Sequence, residues 1–275
     1  MRVAIHGAGE LVDALGALAR AAGSEVVAEP ADLTIVSVPA GELRSYVRTL
    51  APGPAARVVI ATRGLEPETG KRLSELVTEE SACLRVGAIA GPLLASEVRR
   101  KSPCALVAAS PFREVAAAVG VALRSPLCRV YTAQDLAGVE LAGALVEILA
   151  IALGTARGLG LGIGVEALLV ARGIAEGGRL AERVGGDVRT FAGLAGVGDL
   201  VACAGAADHP GHRRGLALAR GEKDADCVAL CEALLARERN LPITVGVKML
   251  AAGEVKAVDA LTALMTRGHA GEWDP

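Results

Sequence analysis

The chain opens with Arg2-Val3-Ala4-Ile5-His6, a short apolar run rich in β-formers, which stops at Gly7-Ala8-Gly9. From Leu11 to Ala22 the apolar spacing changes, and Leu11, Leu15 and Leu18 fall on one helical face. A strand, a glycine turn and a helix in that order is the first unit of an α/β sheet. Thr34-Ile35-Val36-Ser37-Val38-Pro39 and Arg57-Val58-Val59-Ile60-Ala61-Thr62 then read as strands buried on both faces. Helical patterns at 41–50 and 67–80 separate them from further strand-like segments at 85–89, 104–109 and 127–131. Beyond Leu136 the strand signal fades and long apolar helical patterns take over. No fixed-period repeat is visible.

The predicted fold is therefore α/β. A shortened Rossmann-like domain with a parallel sheet covers 1–132, and an all-α domain covers 133–275. The 275 residues allow roughly two domains at about 150 each. Net charge is −2, from 29 Lys+Arg against 31 Asp+Glu, and only five residues are aromatic. A protein that tracks nucleic acid needs a basic surplus or stacking rings, so no nucleic-acid partner is expected. The most apolar stretch, 141–164, is interrupted by Glu147 and Arg157 and reads as a helix buried in protein rather than a membrane span. The start of the chain lacks a signal-peptide core, and the six cysteines contain no C-x-x-C pair. Reduced, buried cysteines in a cytoplasmic protein are expected. The 34 glycines are expected mainly at turns.

Gly7 and Gly9 carry the dinucleotide signal. The first makes the tight turn, and the second lets backbone approach a pyrophosphate seated on the helix N-terminus. Glu10 and Leu11 at the helix start, with Pro39 after the next strand, join them as candidate cofactor contacts. The third glycine position holds Val12. His6 is expected to face the cofactor side, and Glu29, 22 residues beyond Gly7, has the spacing of a ribose-binding acid. Segment 24–29 looks like the next strand, yet only Pro30, Ala31 and Asp32 separate it from the strand starting near Leu33. Three residues reach at most ~11 Å, less than the return along a five-residue strand. Segment 24–29 is accordingly read as a return arm or short edge strand, not as a parallel neighbour. The half of the domain that would hold adenosine is then missing.

The helical half carries a longer pattern. Tyr131-Thr132 and Gly138-Val139-Glu140-Leu141-Ala142-Gly143-Ala144-Leu145 precede Gly158-Leu159-Gly160-Leu161-Gly162. Arg172-Gly173-Ile174-Ala175-Glu176 and Phe191-Ala192-Gly193-Leu194-Ala195-Gly196-Val197-Gly198-Asp199-Leu200 follow. With Thr62-Arg63-Gly64-Leu65-Glu66, Gly91-Pro92, Ser96-Glu97-Val98 and Pro242-Ile243-Thr244, this order resembles the bacterial NAD(P)-dependent glycerol-3-phosphate dehydrogenases along almost the whole chain.

The resemblance implies reduction of dihydroxyacetone phosphate with NAD or NADP as cofactor, a small phosphate or carbonyl substrate, and a homodimer. It also marks departures. The lysine of the family's G-A-L-K-N run is Val146 here, and its asparagine is Glu147. The lysine of its T-K-G-L run is Arg63, which keeps the charge but cannot donate a proton at useful pH. The Arg-Asn that follows G-D-L falls at Pro210-Gly211. Asp199 is retained. Asp199, Arg63 and Glu147 are the candidate catalytic residues, and His212, Arg213 and Arg214 the candidate phosphate contacts. Two unit charges 4 Å apart interact by ~4 kcal/mol at an effective dielectric of 20, so Glu147 repels a phosphate unless it is neutralised. The family reaction is expected to be impaired or lost, leaving a binding or regulatory role. The alternatives are activity on a different carbonyl or imine substrate, or the family reaction at low rate.

Overall fold

The computed structural model describes residues 1–206 and 209–265, so the end of the expected helical domain, 266–275, lies outside the described residues. The strands are β1 (Arg2–Gly7), β2 (Glu25–Val26), β3 (Leu33–Ser37), β4 (Arg57–Ile60), β5 (Arg85–Ala90), β6 (Cys104–Ala109) and β7 (Cys128–Ala133). Interleaved with them run α1 (Glu10–Ala21), α2 (Leu43–Leu50), α3 (Leu73–Glu80), α4 (Ala95–Arg99) and α5 (Arg113–Leu123). They form one seven-stranded sheet in the order β2-β1-β3-β4-β5-β6-β7. Every pair is parallel except β5 with β6. One apolar cluster joins a sheet face to α1 and α5, and another joins the opposite face to α2 and α3. Both faces are therefore covered, which is why the strands are apolar on both sides.

Three expectations need correction. The sheet is not wholly parallel, because β6 runs against β5. Segment 24–29 does contribute a parallel strand, but only of two residues: Arg2 pairs with Glu25 and Val3 with Val26. On the other side of β1, Val3 also pairs with Leu33. Val26 and Leu33 thus stand at the same height on either side of one strand. The chain between them crosses beneath β1 without a return trip, so the reach argument fails at its assumed strand length. The helical pattern over 67–80 also starts later than expected, at Leu73, because Gly70 (φ +67°) turns the backbone before it.

The second half is built on α6 (Leu136–Gly158). Around it lie α7 (Ile163–Val184), α8 (Val188–Ala192), α9 (Asp199–Gly205), α10 (Pro210–Ala219), α11 (Ala225–Leu235), α12 (Pro242–Ala252) and α13 (Ala257–Met265). A π-helical turn over Leu194–Gly198 leads into α9. α6 is long and apolar enough to cross a membrane, yet 78% of its most apolar window is buried within this chain. Val188–Gly205 passes the same length and composition measure, but is broken into α8, the π turn and α9.

Asp135 caps α6 through the Gly138 N–H at 2.8 Å, and its other oxygen accepts from Asp187 N and Thr190 Oγ1. α10 lies against α6 so closely that a Cβ on Gly215 would stand 2.2 Å from the Ile151 carbonyl oxygen. Many glycines thus serve helix contacts rather than turns; among the described residues, ten have positive φ.

Two buried carboxylates clamp this half. Glu140 accepts from Ser74 N at 2.8 Å and Ser74 Oγ at 2.6 Å, tying α6 to α3. Glu176 accepts from Ile243 N and from Thr244 Oγ1 (3.0 Å), holding the start of α12 against α7.

Candidate active site in the cleft between sheet and helices

The carboxyl ends of β1, β3, β4 and β5 open onto a cleft of about 380 Å³, closed on its far side by α6 and the start of α10. This is where open α/β sheets bind ligands. Ala8, Glu10, Leu11, Ser37, Val38 and Pro39 line one wall. Thr62, Arg63, Gly91, Ser96, Glu147 and His209 line the others. The expected contacts Glu10, Leu11 and Pro39 therefore share one wall, and Gly7 and Gly9 form the turn beneath them.

Gly7 has φ +122°, and a Cβ there would stand 1.9 Å from the Ser37 carbonyl oxygen. Gly9 has φ +99° with open space above it. The turn thus needs Gly7 for the fold and leaves room over Gly9. Val12 places its Cγ2 3.3 Å from the position of that Gly7 Cβ, filling space a third glycine would leave.

Arg63 reaches from the loop after β4 into the helical half. Its Nη2 donates to Asp199 Oδ1 at 2.8 Å and to the Gly91 carbonyl at 3.2 Å. Its Nη1 lies 3.3 Å from His209 Nε2. Asp199 opens α9 immediately after the π turn and is fully buried. Its Oδ2 has no hydrogen-bond partner among the described residues. Burial pushes this carboxyl up to about 6, with the Arg63 guanidinium pulling the other way and the Glu147 charge adding to the rise. One turn on, burial and the Asp199 charge push the Cys203 thiol up to about 12, so it stays protonated.

Glu147 is at the cleft, as expected, and shares one cation with Asp224. Arg214 Nη1 meets its Oε1 at 3.2 Å, while Arg214 Nε and Nη2 grip Asp224 at 2.7 and 3.0 Å. Val146 is 2% exposed and packs in the helical core.

The expected phosphate grip of His212, Arg213 and Arg214 is not assembled, because a helix turns these residues in three directions. His212 is buried, with its Nδ1 at 3.2 Å from Arg157 Nη1. Arg213 is exposed, and Arg214 is engaged as above. The histidine at the cleft is His209, which caps α10 through Gly211 N at 3.1 Å. Its place immediately before Pro210, at the first helical position, is the sequence signal that marks it as a cap.

The described residues fit only part of a dinucleotide. The Gly7–Gly9 turn and the start of α1 offer a phosphate cradle, although Glu10 and Asp13 already stand in the first helical turn. The adenosine side does not fit. With β2 cut to two residues, no helix connects it to β3. Glu29, the acid at ribose spacing, is committed to Ala31 N at 2.9 Å and Thr34 Oγ1 at 2.5 Å. His6 does not face the cleft as expected: its Nδ1 meets Tyr46 Oη at 2.7 Å, and its Nε2 lies 3.4 Å from Glu29.

Comparison with known proteins agrees with this architecture. Residues 3–116 match the profile of the NAD-dependent glycerol-3-phosphate dehydrogenase N-terminus, and residues 135–265 match that of its C-terminus. The glycerol-3-phosphate dehydrogenase [NAD(P)+] of Moorella thermoacetica is 39% identical over 264 residues, covering 88% of this chain and 78% of the relative. That of Parafrankia sp. is 36% identical over 275 residues, covering 93% and 82%. The crystal structure of glycerol-3-phosphate dehydrogenase from Coxiella burnetii superposes with a TM-score of 0.86 at 25% identity, covering 97% of this chain and 99% of that one. This chain belongs to the NAD(P)-dependent glycerol-3-phosphate dehydrogenase family.

Proposed function

We propose that this protein keeps the family's cleft as a binding site while the reduction of dihydroxyacetone phosphate by NAD(P)H is lost or severely impaired. The observation that carries this is the cation at the cleft. Reducing a ketone requires positive charge at the developing alkoxide and a proton to complete it. Where the resemblance sets a lysine, Val146 is buried in apolar core. Arg63 supplies charge, but its Nη2 is committed to Asp199 and the Gly91 carbonyl, and a guanidinium gives up no proton. The unfitted adenosine side adds to this, since binding energy from remote parts of a ligand would otherwise help position the reacting end.

NADH oxidation with dihydroxyacetone phosphate tests the reading. Loss of a proton donor lowers rate by about 10²–10⁴-fold, and turnover at least that far below an active relative is expected. Turnover at the relative's rate overturns it. The Arg63–Asp199–His209 group favours a second reading, an oxidoreductase acting on another small carbonyl or imine, because Asp199 at about 6 is poised to exchange a proton. A carbonyl and imine panel in which activity collapses in Asp199→Ala selects that second reading.

The same proposal places the protein in the cytoplasm, supported by six cysteines that all stand as free thiols. It includes a homodimer, which the family likeness alone supports and which light scattering measures.

A further inference from the structure

Between Gly138 and Ala156 every residue of α6 is buried except Glu147, whose side chain is 17% exposed where the helix meets the cleft. A charge at such a position is costly unless it is paired, so its partners decide what the site can hold. Arg214 gives Asp224 two bonds, at 2.7 and 3.0 Å, and gives Glu147 one, to Oε1 at 3.2 Å. No other group among the described residues donates to Glu147, so Oε2 is left as an acceptor open to the cleft. Two carboxylates thus share one guanidinium, and one negative charge is uncompensated. The remaining carboxylates and guanidinium groups at the cleft cancel, Arg63 against Asp199 and Glu10 against Arg99. The excess charge is felt inside the site, because it helps to raise the Asp199 carboxyl.

We infer that Glu147 makes this cleft a site for a small organic ammonium, opposite in charge to the phosphate ligand that the family likeness implies. The inference deepens the proposed function by naming the ligand class, and it rests on the cleft's being kept as a binding site. An ammonium brings N–H donors and positive charge, which answer both the free oxygen and the missing charge. A phosphate brings acceptors and further negative charge to a wall that already has an excess of both. A metal ion answers the charge but not the geometry. A hard divalent cation takes about six or more oxygens, and no group of three His, Cys, Asp or Glu side chains able to hold a metal occurs among the described residues. Ser37, Thr62 and Ser96 line the same space and bring hydroxyls suited to a ligand that carries hydroxyls of its own. The volume of about 380 Å³ lies near the lower end of the range that accommodates small ligands, about 300–1,000 Å³.

Glycerol, its amine analogue 3-amino-1,2-propanediol and glycerol 3-phosphate share a carbon skeleton and differ in the charge at one end. Calorimetric titration of each into the whole chain at pH 7, without dinucleotide, tests the inference. Saturable binding of the amine is expected, about tenfold or more tighter than glycerol or glycerol 3-phosphate, the usual worth of a hydrogen bond to a charged group. Glu147→Gln keeps the shape and removes the charge, so the preference for the amine over glycerol should be lost in that variant. Thermal denaturation shows whether the variant is folded; should it fail to fold, the wild-type ranking of the three ligands decides alone. Absence of amine binding, an amine no tighter than glycerol, tighter binding of glycerol 3-phosphate, or an undiminished preference in folded Glu147→Gln would each overturn the inference. Turnover of dihydroxyacetone phosphate would refute the proposed loss of activity while leaving the amine binding result intact. Failure of the amine without such turnover would overturn the ligand class alone.

Discussion

Glu176 in the helical half and Asp199 at the cleft are both buried carboxylates raised by desolvation, yet they are treated differently by their surroundings. Glu176 has donors on both oxygens, from Ile243 N and from Thr244 N and Oγ1. Asp199 has Arg63 on one oxygen and no partner on the other. The same contrast runs through the molecule. Groups that hold elements together, such as Glu140 on Ser74 and Gly7 against Ser37, are fully engaged. At the cleft, by contrast, Asp199 keeps one buried oxygen without a partner among the described residues. The groups that join elements are satisfied by their neighbours, whereas the carboxylate at the cleft is left partly unsatisfied.

The two glycines of the β1–α1 turn give the largest test of that contrast. Gly7→Ala drives a Cβ into backbone and should cost about 3–5 kcal/mol, in the range of severe packing faults, read as a lowered denaturation midpoint. Gly9→Ala meets open space and should cost only the backbone strain, about 1–2 kcal/mol. Equal losses would show that both glycines hold the fold.

Isosteric amides at the two carboxylates sharpen the comparison. Glu176→Gln turns an amide donor toward buried donors on one side, and should destabilise by about 2–4 kcal/mol. Asp199→Asn can place its amide where Oδ2 has no partner and keep the Arg63 bond while removing a desolvated charge, so at pH 7 no loss and a gain of up to about 3 kcal/mol is expected. A larger loss in Asp199→Asn than in Glu176→Gln would break the distinction.

The pH dependence follows from the same group. Asp199 at about 6 when folded lies above its ordinary 3.8, so the folded state holds more protons between these values. Stability therefore falls as pH rises from about 4 to about 6 and levels off above, by up to about 3 kcal/mol from this residue. Denaturation of wild type against Asp199→Asn across that window should show the slope only in wild type, once shared carboxylate effects are subtracted.

Much of this was legible in the chain, and the failures have physical causes. Strand–glycine–helix order and the switch to continuous apolar helices identify the sheet half and the helical half, because strands buried on both faces read as short unbroken apolar runs and helices repeat about every 3.6 residues. Strand direction leaves no such imprint, so the antiparallel entry of β6 was invisible. Segment 24–29 misled because alternation does not reveal that only Glu25 and Val26 pair. Asp199 and Arg63 were named separately, but their contact joins residues 136 positions apart. His212, Arg213 and Arg214 are adjacent in sequence, whereas the start of α10 at Pro210 sends His209 to the cleft and His212 to Arg157. The pairing of Glu147 with Arg214 depends on the α6–α10 packing that Gly154 and Gly215 permit.

The most direct test of the proposed function is a calorimetric titration of the full chain with NADH and NADPH. With the adenosine side closed by Glu29, Thr34 and the two-residue β2, neither should show low-micromolar binding. Low-micromolar, saturable binding of either dinucleotide would contradict the account.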